Sequence, residues 1–154
     1  MHSIMFVCHG NICRSPMAEL IFRDMVECKG LRDEFLIASS ATSTEEIYRG
    51  RGNPIYPPAR EMLIKHKIPF CEHYATLFTP SDYRSYDLIV VMDSRNFAGV
   101  LRICSGDPES KVRRLLDFTG EDRDVSDPWY SGDFEKAFSD IQRGCAALLD
   151  YLTK

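Results

Sequence analysis

Cys8 and Arg14 stand with five residues between them in the run Val7-Cys8-His9-Gly10-Asn11-Ile12-Cys13-Arg14-Ser15-Pro16. An apolar run precedes the thiol, and apolar residues at helical spacing follow Ser15, so the segment predicts strand, loop and helix start. Successive backbone N–H groups in such a loop turn inward and make a nest for an anion, to which the helix adds its positive N-terminal end. A tetrahedral oxyanion suits it. Arg14 can hold two oxygens of that anion with a planar fork of donors, which a lysine does not reproduce. The same field favours thiolate over thiol at Cys8. A thiolate beneath a bound phosphate is placed for in-line attack on phosphorus, with the ester oxygen leaving on the far side. The predicted chemistry is phosphoryl transfer through a phosphocysteine. Gly10 and Asn11 are residue types that accept the positive φ angles a tightly cupped loop demands. Ser15 is available to donate its hydroxyl to Cys8.

The elements that must hold this loop follow from pattern. Ser3 to Val7 reads as a buried strand, and Met17, Leu20, Ile21, Met25 and Cys28 recur at helical spacing, with Pro16 in the first turn and Gly30 just past the end. Phe35 to Ala38 is a second short strand, and Ala59 to Lys67 a helix opened by Pro57 and Pro58. Asp87 to Met92, DLIVVM, is the clearest buried strand; Ser94 to Cys104 reads as helix, Val112 to Leu116 as a short strand, and Phe134 to Leu152 as a long amphipathic helix with one apolar stripe. Ala41 to Pro58 and Thr119 to Gly132 are irregular, and long loops in a small domain tend to carry function. Alternating strands and helices predict an α/β, single-domain, Rossmann-like (flavodoxin-like) open sheet of about four parallel strands flanked by helices, spanning 1–154. Ligands of such sheets bind beyond the carboxyl ends of the strands, where Cys8 falls.

The 154 residues suit one domain, and 44% apolar with 27% charged residues describe an ordinary globular chain. A net charge of −4 lacks the basic stripe of a nucleic-acid or membrane-surface binder, so neither partner is expected. No secretory core follows a basic start, and no run approaches the roughly 20 apolar residues of a spanning helix; a cytoplasmic protein is expected. The six cysteines are scattered at 8, 13, 28, 71, 104 and 145, which suits free thiols better than a disulfide framework. Cys8 and Cys13 have no matching second pair, so no metal is expected.

Taken together, these residues resemble the low-molecular-weight protein tyrosine phosphatases over essentially the whole chain. Cys8 to Pro16 resembles the family's phosphate-binding signature, and Asp127-Pro128-Trp129-Tyr130 resembles its acid loop, Asp-Pro followed by two aromatics. The resemblance implies a metal-independent, cofactor-free hydrolase of phosphotyrosine-containing proteins or peptides. Cys8 is then the nucleophile, Arg14 the phosphate clamp, and Asp127 the general acid that protonates the leaving phenolate and later activates water. His9, Gly10, Asn11, Ile12, Cys13 and Ser15 make up the substrate-binding loop. Trp129 and Tyr130 form a wall for the phosphotyrosine ring, with Ile12 opposite. Ser39 and His73 fall where the family has residues that hydrogen-bond the loop asparagine, Asp93 matches an aspartate near the site, and Cys13 matches a second loop cysteine that forms a reversible disulfide with the nucleophile. Phosphate and other oxyanions are implied inhibitors, and a monomer or weak dimer is expected.

The chain departs from the family's pattern where an aromatic usually follows the second strand, since this stretch reads Ser43-Thr44-Glu45-Glu46-Ile47-Tyr48 and the loop through Glu45 to Pro58 is long. Tyr48 is a candidate for the missing ring, and Arg49 and Arg51 for attracting acidic phosphopeptides. Three other readings compete. A thiol-dependent arsenate reductase needs two further cysteines, for which Cys71 and Cys104 are candidates without any close pairing. A protein arginine phosphatase tends to carry Thr where Ile12 stands. A non-catalytic phosphopeptide-binding module should have lost Cys8, Arg14 or Asp127, and all three remain.

Overall fold

His2–Cys8 forms the first strand, β1, and its alternation sends Ile4, Phe6 and Cys8 into one buried layer and Met5 and Val7 into the other. A strand buried on both sides needs a layer of helices on each face. The computed structural model describes Met1–Lys154. After β1 come α1 (Arg14–Cys28), β2 (Phe35–Ala41), a small hairpin of β3 (Ile47–Tyr48) and β4 (Arg51–Gly52), α2 (Pro57–Lys65), α3 (Pro80–Ser85) and β5 (Leu88–Val91). The chain continues through α4 (Ser94–Cys104), β6 (Val112–Arg114), α5 (Pro128–Ser131) and α6 (Phe134–Thr153). The main sheet has four parallel strands in the order β2-β1-β5-β6. Residues of α1, α2 and α6 cover the face bearing Ile4 and Phe6, while Tyr83 of α3 and Val100 of α4 cover the face bearing Met5 and Val7. The single-domain α/β architecture is the one the sequence pattern predicts.

Three elements have a boundary two or more residues from expectation, each for a physical reason. β2 runs on through Ser39, Ser40 and Ala41, residues too polar or small to read as strand, because they pair with Phe6, Val7 and Cys8. The final strand stops at Arg114 rather than Leu116: Leu115 and Leu116 turn into a 3₁₀ segment and are buried under α6, so their apolar character serves a different layer. α2 starts at Pro57 and stops at Lys65, with Lys67 in the left-handed region at φ 57°. The short α3 was not legible; a Thr79/Asp82 capping box and Pro80 at its first turn start it. No helix is long and apolar enough to cross a membrane.

This topology positions the site. The connections from β1 lead to β2 on one side and, through the rest of the chain, to β5 on the other, which leaves a crevice at the carboxyl ends of the strands. Val7 is in register with Val91, so Cys8 and the Met92-Asp93 step emerge side by side at that crevice.

Candidate active site

The loop from Cys8 to Arg14 closes around the Cys8 sulfur. Asn11 sits in the left-handed region at φ 58°, as its residue type allows, and donates its backbone N–H to Cys8 Sγ at 3.3 Å. Gly10 is not at positive φ, contrary to the expectation. The space there is tight instead, because a Cβ would lie 3.1 Å from the Glu46 side chain, which would have to shift to admit it. The Asn11 side chain is fully buried and turned away from the cup. Its Nδ2 donates to Ser15 Oγ at 2.7 Å and to Ser39 Oγ at 3.0 Å, and its Oδ1 accepts from the Thr76 N–H at 3.1 Å. His73 Nε2 lies 3.2 Å from both Asn11 Oδ1 and Asn11 O, and two acceptors assign the proton to that nitrogen. Ser39 passes its own hydroxyl hydrogen to Glu19 Oε1 at 2.6 Å.

This network decides where the Ser15 hydrogen goes. The Asn11 amide occupies one lone pair of Ser15 Oγ, and the other acceptors in reach are Cys8 Sγ at 3.0 Å and the Ser40 carbonyl at 3.5 Å. The shorter contact takes the hydrogen, so Ser15 donates to the sulfur. Around Cys8 the protein therefore presents donors: the Ser15 hydroxyl and the Asn11 N–H.

Arg14, the first residue of α1, is 2% exposed and anchored along one edge. Nη1 donates to Asp93 Oδ2 and to the Val125 carbonyl, both at 2.8 Å, and Nη2 to Asp127 Oδ2 at 3.3 Å. The Nε–H and the second Nη2–H have no protein acceptor, and these two lie on the same side of the guanidinium as a parallel pair of donors. Burial alone would lower the Arg14 pKa, yet Cys8, Asp93 and Asp127 outweigh it and raise it. Burial pushes the Cys13 thiol far above its ordinary value, and the neighbouring Cys8 adds to that, so Cys13 stays protonated.

Asp127 caps the short α5, where its Oδ1 accepts from the Trp129 N–H at 3.0 Å while Oδ2 meets Arg14. Pro128 at the first helical position suits this turn. The loop carrying Asp127 is tied to α6 by Arg123, which donates to both oxygens of the buried Asp140 at 3.0 and 2.8 Å. Arg143 also reaches Asp140, at 2.8 Å. Burial raises the Asp140 pKa, but the two arginines prevail and hold it below the ordinary carboxylate value; Glu121, bonded to Arg143 and Arg123, is lowered as well. A carboxylate whose folded pKa is depressed stabilises the fold above its unfolded value and loses that contribution as pH falls through the folded value. Asp140→Asn is expected to destabilise the protein by about 1–2 kcal/mol at pH 7, a figure kept small because both arginines are partly solvent-screened. In thermal melts the gap between wild type and variant should close as pH drops below about 4. A gap that is constant from pH 7 to 3 would show that Asp140 contributes no charge-dependent stability.

Cys8, Gly10, Ile12, Cys13, Arg14 and Asp127 line a cup of about 130 Å³, well below the roughly 300–1,000 Å³ of a drug-sized ligand pocket. Trp129 and Tyr130 stand at its rim, 61% and 78% exposed, and Tyr56 backs Trp129 with ring centroids 5.0 Å apart. Across the rim stand Glu45 and Glu46, with Glu45 Oε2 2.9 Å from His9 Nε2. Two carboxylates thus occupy the edge where an aromatic was looked for. Tyr48 does not supply that ring: it is 72% exposed outside the cup, with the Arg49 guanidinium 5.4 Å from its ring centroid. Arg49 and Arg51 belong to the β3–β4 hairpin and do not line the cup either. Asp93, Ser39 and His73 are brought in, Asp93 onto Arg14 and the other two onto Asn11. The sequence reading missed Glu19, Thr76 and Tyr56. A signal for Glu19 existed, since Ser15, Glu19 and Arg23 repeat at helical spacing on an otherwise apolar helix, and Arg23 Nη2 donates to Glu19 at 2.8 Å. No group of three or more His, Cys, Asp or Glu side chains converges in a way that could hold a metal ion.

The model of the family described as low molecular weight phosphotyrosine protein phosphatase matches residues 3–154. The chain belongs to this family. It is 36% identical to the low molecular weight protein-tyrosine-phosphatase YfkJ of Bacillus subtilis, an alignment that covers all of this chain and 97% of that one. It is 35% identical to PtpA of Staphylococcus epidermidis, over all of this chain and 96% of the relative. The crystal structure of the Bacillus subtilis YfkJ superposes with a TM-score of 0.91 over 99% of this chain and 94% of that chain, at 37% identity. The Streptococcus pyogenes low molecular weight protein tyrosine phosphatase superposes at 0.88 over 100% and 95%, at 33% identity. Family membership covers both halves of the site, the Cys8–Arg14 loop and the Asp127 loop.

Proposed function

We propose that the protein hydrolyses phosphotyrosine in proteins or peptides in two steps, through a phosphocysteine on Cys8. The observation that carries this reading is the unpaired Nε–H/Nη2–H edge of Arg14 in the same cup as a sulfur surrounded by donors. A phosphate dianion seated on that edge and on the loop amides presents phosphorus to the sulfur, and the ester oxygen then points outward towards Asp127. Asp127 donates a proton to the departing phenolate, so the S–P bond forms as the P–O bond breaks. In the second step Asp127 takes a proton from water as that water attacks phosphorus, and the Cys8 sulfur leaves with its electron pair, received by the Ser15 hydroxyl and Asn11 N–H. The protein residues supply each proton and each charge. Trp129, Tyr130 and Ile12 are the apolar surfaces for an aromatic ring, which favours an aryl ester over a phosphorylated guanidinium. Once a peroxide has oxidised the Cys8 thiolate to a sulfenic acid, the Cys13 thiol condenses with it to a disulfide, releasing water. A thiolate nucleophile needs a reducing compartment, so the proposal extends to a cytoplasmic site of action.

The test is steady-state hydrolysis of a series of phosphate monoesters, with and without chelator, by wild type and Asp127→Ala. Turnover unaffected by chelator and competitive inhibition by inorganic phosphate or vanadate are expected. For phosphotyrosine the variant should lose about 10²–10⁴-fold in kcat, the range of a general acid, and far less for esters whose leaving group is already stable as an anion. A uniform loss across the series would leave Asp127 a structural residue. Hydrolysis of phosphoarginine in preference to phosphotyrosine, or reduction of arsenate, would replace this reading.

A further inference from the structure

Beside the cup lies a larger groove of about 1140 Å³ that shares Arg14, Asp127, His9 and Tyr130 with it and runs along α4. Its opposite bank is the turn after β2. The two banks meet closely because α4 has glycine at position 99, where a Cβ would stand 3.0 Å from the Thr42 methyl. Four charged residues on this groove beyond Arg14 and Asp127 decide its sign: Asp93, Asp124, Arg95 and Arg102. Each of the two aspartates already faces an arginine within the protein, one that it shares with other carboxylates. Asp93 faces Arg14 at 2.8 Å and Asp124 faces Arg114 at 3.2 Å. Arg95 and Arg102 are exposed and take part in none of the molecule's ion pairs. The cations left unpaired along the groove are therefore Arg95 and Arg102.

Spacing turns this into a reading of substrate. Seven residues on a helix place Arg95 and Arg102 on one face, about 10.5 Å apart along the axis. A peptide in the polyproline II conformation advances about 3.1 Å per residue and returns a side chain to the same face every third residue, so the two guanidiniums match acidic groups about three residues apart. Arg95 lies two residues beyond Asp93, the partner of Arg14, and so sits at the cup end of the groove. We propose that the chain flanking the phosphotyrosine lies along α4, and that Arg95 and Arg102 select substrates with acidic side chains on one flank of the phosphotyrosine. This rests on the phosphotyrosine reading above and adds a substrate class to it.

The test compares kcat/KM for phosphotyrosine peptides carrying two glutamates, two alanines or two lysines three residues apart, placed before or after the phosphotyrosine. The enzymes are wild type, Arg95→Gln/Arg102→Gln and Arg95→Glu/Arg102→Glu, with p-nitrophenyl phosphate as a substrate that does not reach the groove. For wild type a roughly three- to tenfold preference for glutamate over alanine is expected on one flank only, declining with added salt, the size of two solvent-exposed charge contacts. The glutamine variant should erase the preference and the glutamate variant invert it in favour of lysine, all with p-nitrophenyl phosphate turnover unchanged. A phosphoserine in place of the glutamates separates a carboxylate-specific site from a general anion site, both of which support selection by Arg95 and Arg102. Equal rates for glutamate and alanine peptides, preference on both flanks alike, or preference that survives in the glutamine variant would overturn it. Efficient hydrolysis of the alanine peptides in that event would leave the phosphotyrosine reading standing.

Discussion

Cys8→Ser is expected to abolish turnover of p-nitrophenyl phosphate, a fall of about 10⁴-fold or more on the scale seen when a covalent nucleophile is removed, while inorganic phosphate still binds. The reason lies in what surrounds the sulfur. The Ser15 hydroxyl at 3.0 Å and the Asn11 N–H at 3.3 Å are donors, and no base is hydrogen-bonded to the sulfur. Such a loop stabilises an anion already formed; it does not take a proton from a neutral group. A thiol is a far stronger acid than a serine hydroxyl, so the substituted oxygen stays protonated under the same donors. Rapid acid quench with radiolabelled phosphate ester should trap a labelled cysteine in wild type and nothing in the variant, and phosphate protection against thermal unfolding should persist in both. Turnover in Cys8→Ser within tenfold of wild type would remove Cys8 from the mechanism.

Arg14→Lys is the second large effect, about 10³-fold in kcat/KM, at the lower end of what a transition-state arginine contributes in phosphoryl transfer. A lysine keeps the charge and loses the geometry. The guanidinium binds Asp93, Val125 and Asp127 on one edge and presents two parallel N–H groups on another. One ammonium cannot do both. Its three hydrogens would be drawn to the two aspartates and the carbonyl, leaving the phosphate with loop amides alone, or to the phosphate, leaving buried acceptors bare. Asp127 would also lose the partner that sets its side chain, so kcat for phenolate leaving groups should fall further than the affinity for inorganic phosphate. Asp93 additionally accepts from the Asn96 N–H at 2.8 Å to start α4, and melting temperature should drop as well. Activity of Arg14→Lys within tenfold of wild type would show that point charge suffices and that the fork is dispensable.

The legible and illegible parts of the site differ in sequence separation. Cys8, Asn11, Arg14 and Ser15 stand in one loop, and the contacts among them span three to seven residues. Local backbone rules therefore reach them. The Asn11 conformation follows from residue type, whereas the setting of Gly10 does not, because the close contact at its Cα comes from Glu46, far along the chain. The polar tail of β2 is illegible for the same reason: Ser39 and Ser40 are strand only because Phe6 and Val7 lie beside them.

The letters alone determined a buried strand, a thiol loop, a helix start with its guanidinium, and an Asp-Pro turn able to bear an acid. Tertiary structure decided which charges meet. Asp93 and Asp127 reach Arg14 across 79 and 113 residues, and they do so because β1 and β5 lie side by side with parallel carboxyl ends. It also decided that the rim across from Trp129 carries Glu45 and Glu46, that Tyr48 and Arg49 point elsewhere, and that Arg95 and Arg102 are left without partners. Side-chain type and spacing along a chain fix chemistry within a turn or two, where the backbone has few conformations. Which distant carboxylate neutralises which cation depends on strand order and packing, and no local pattern encodes either.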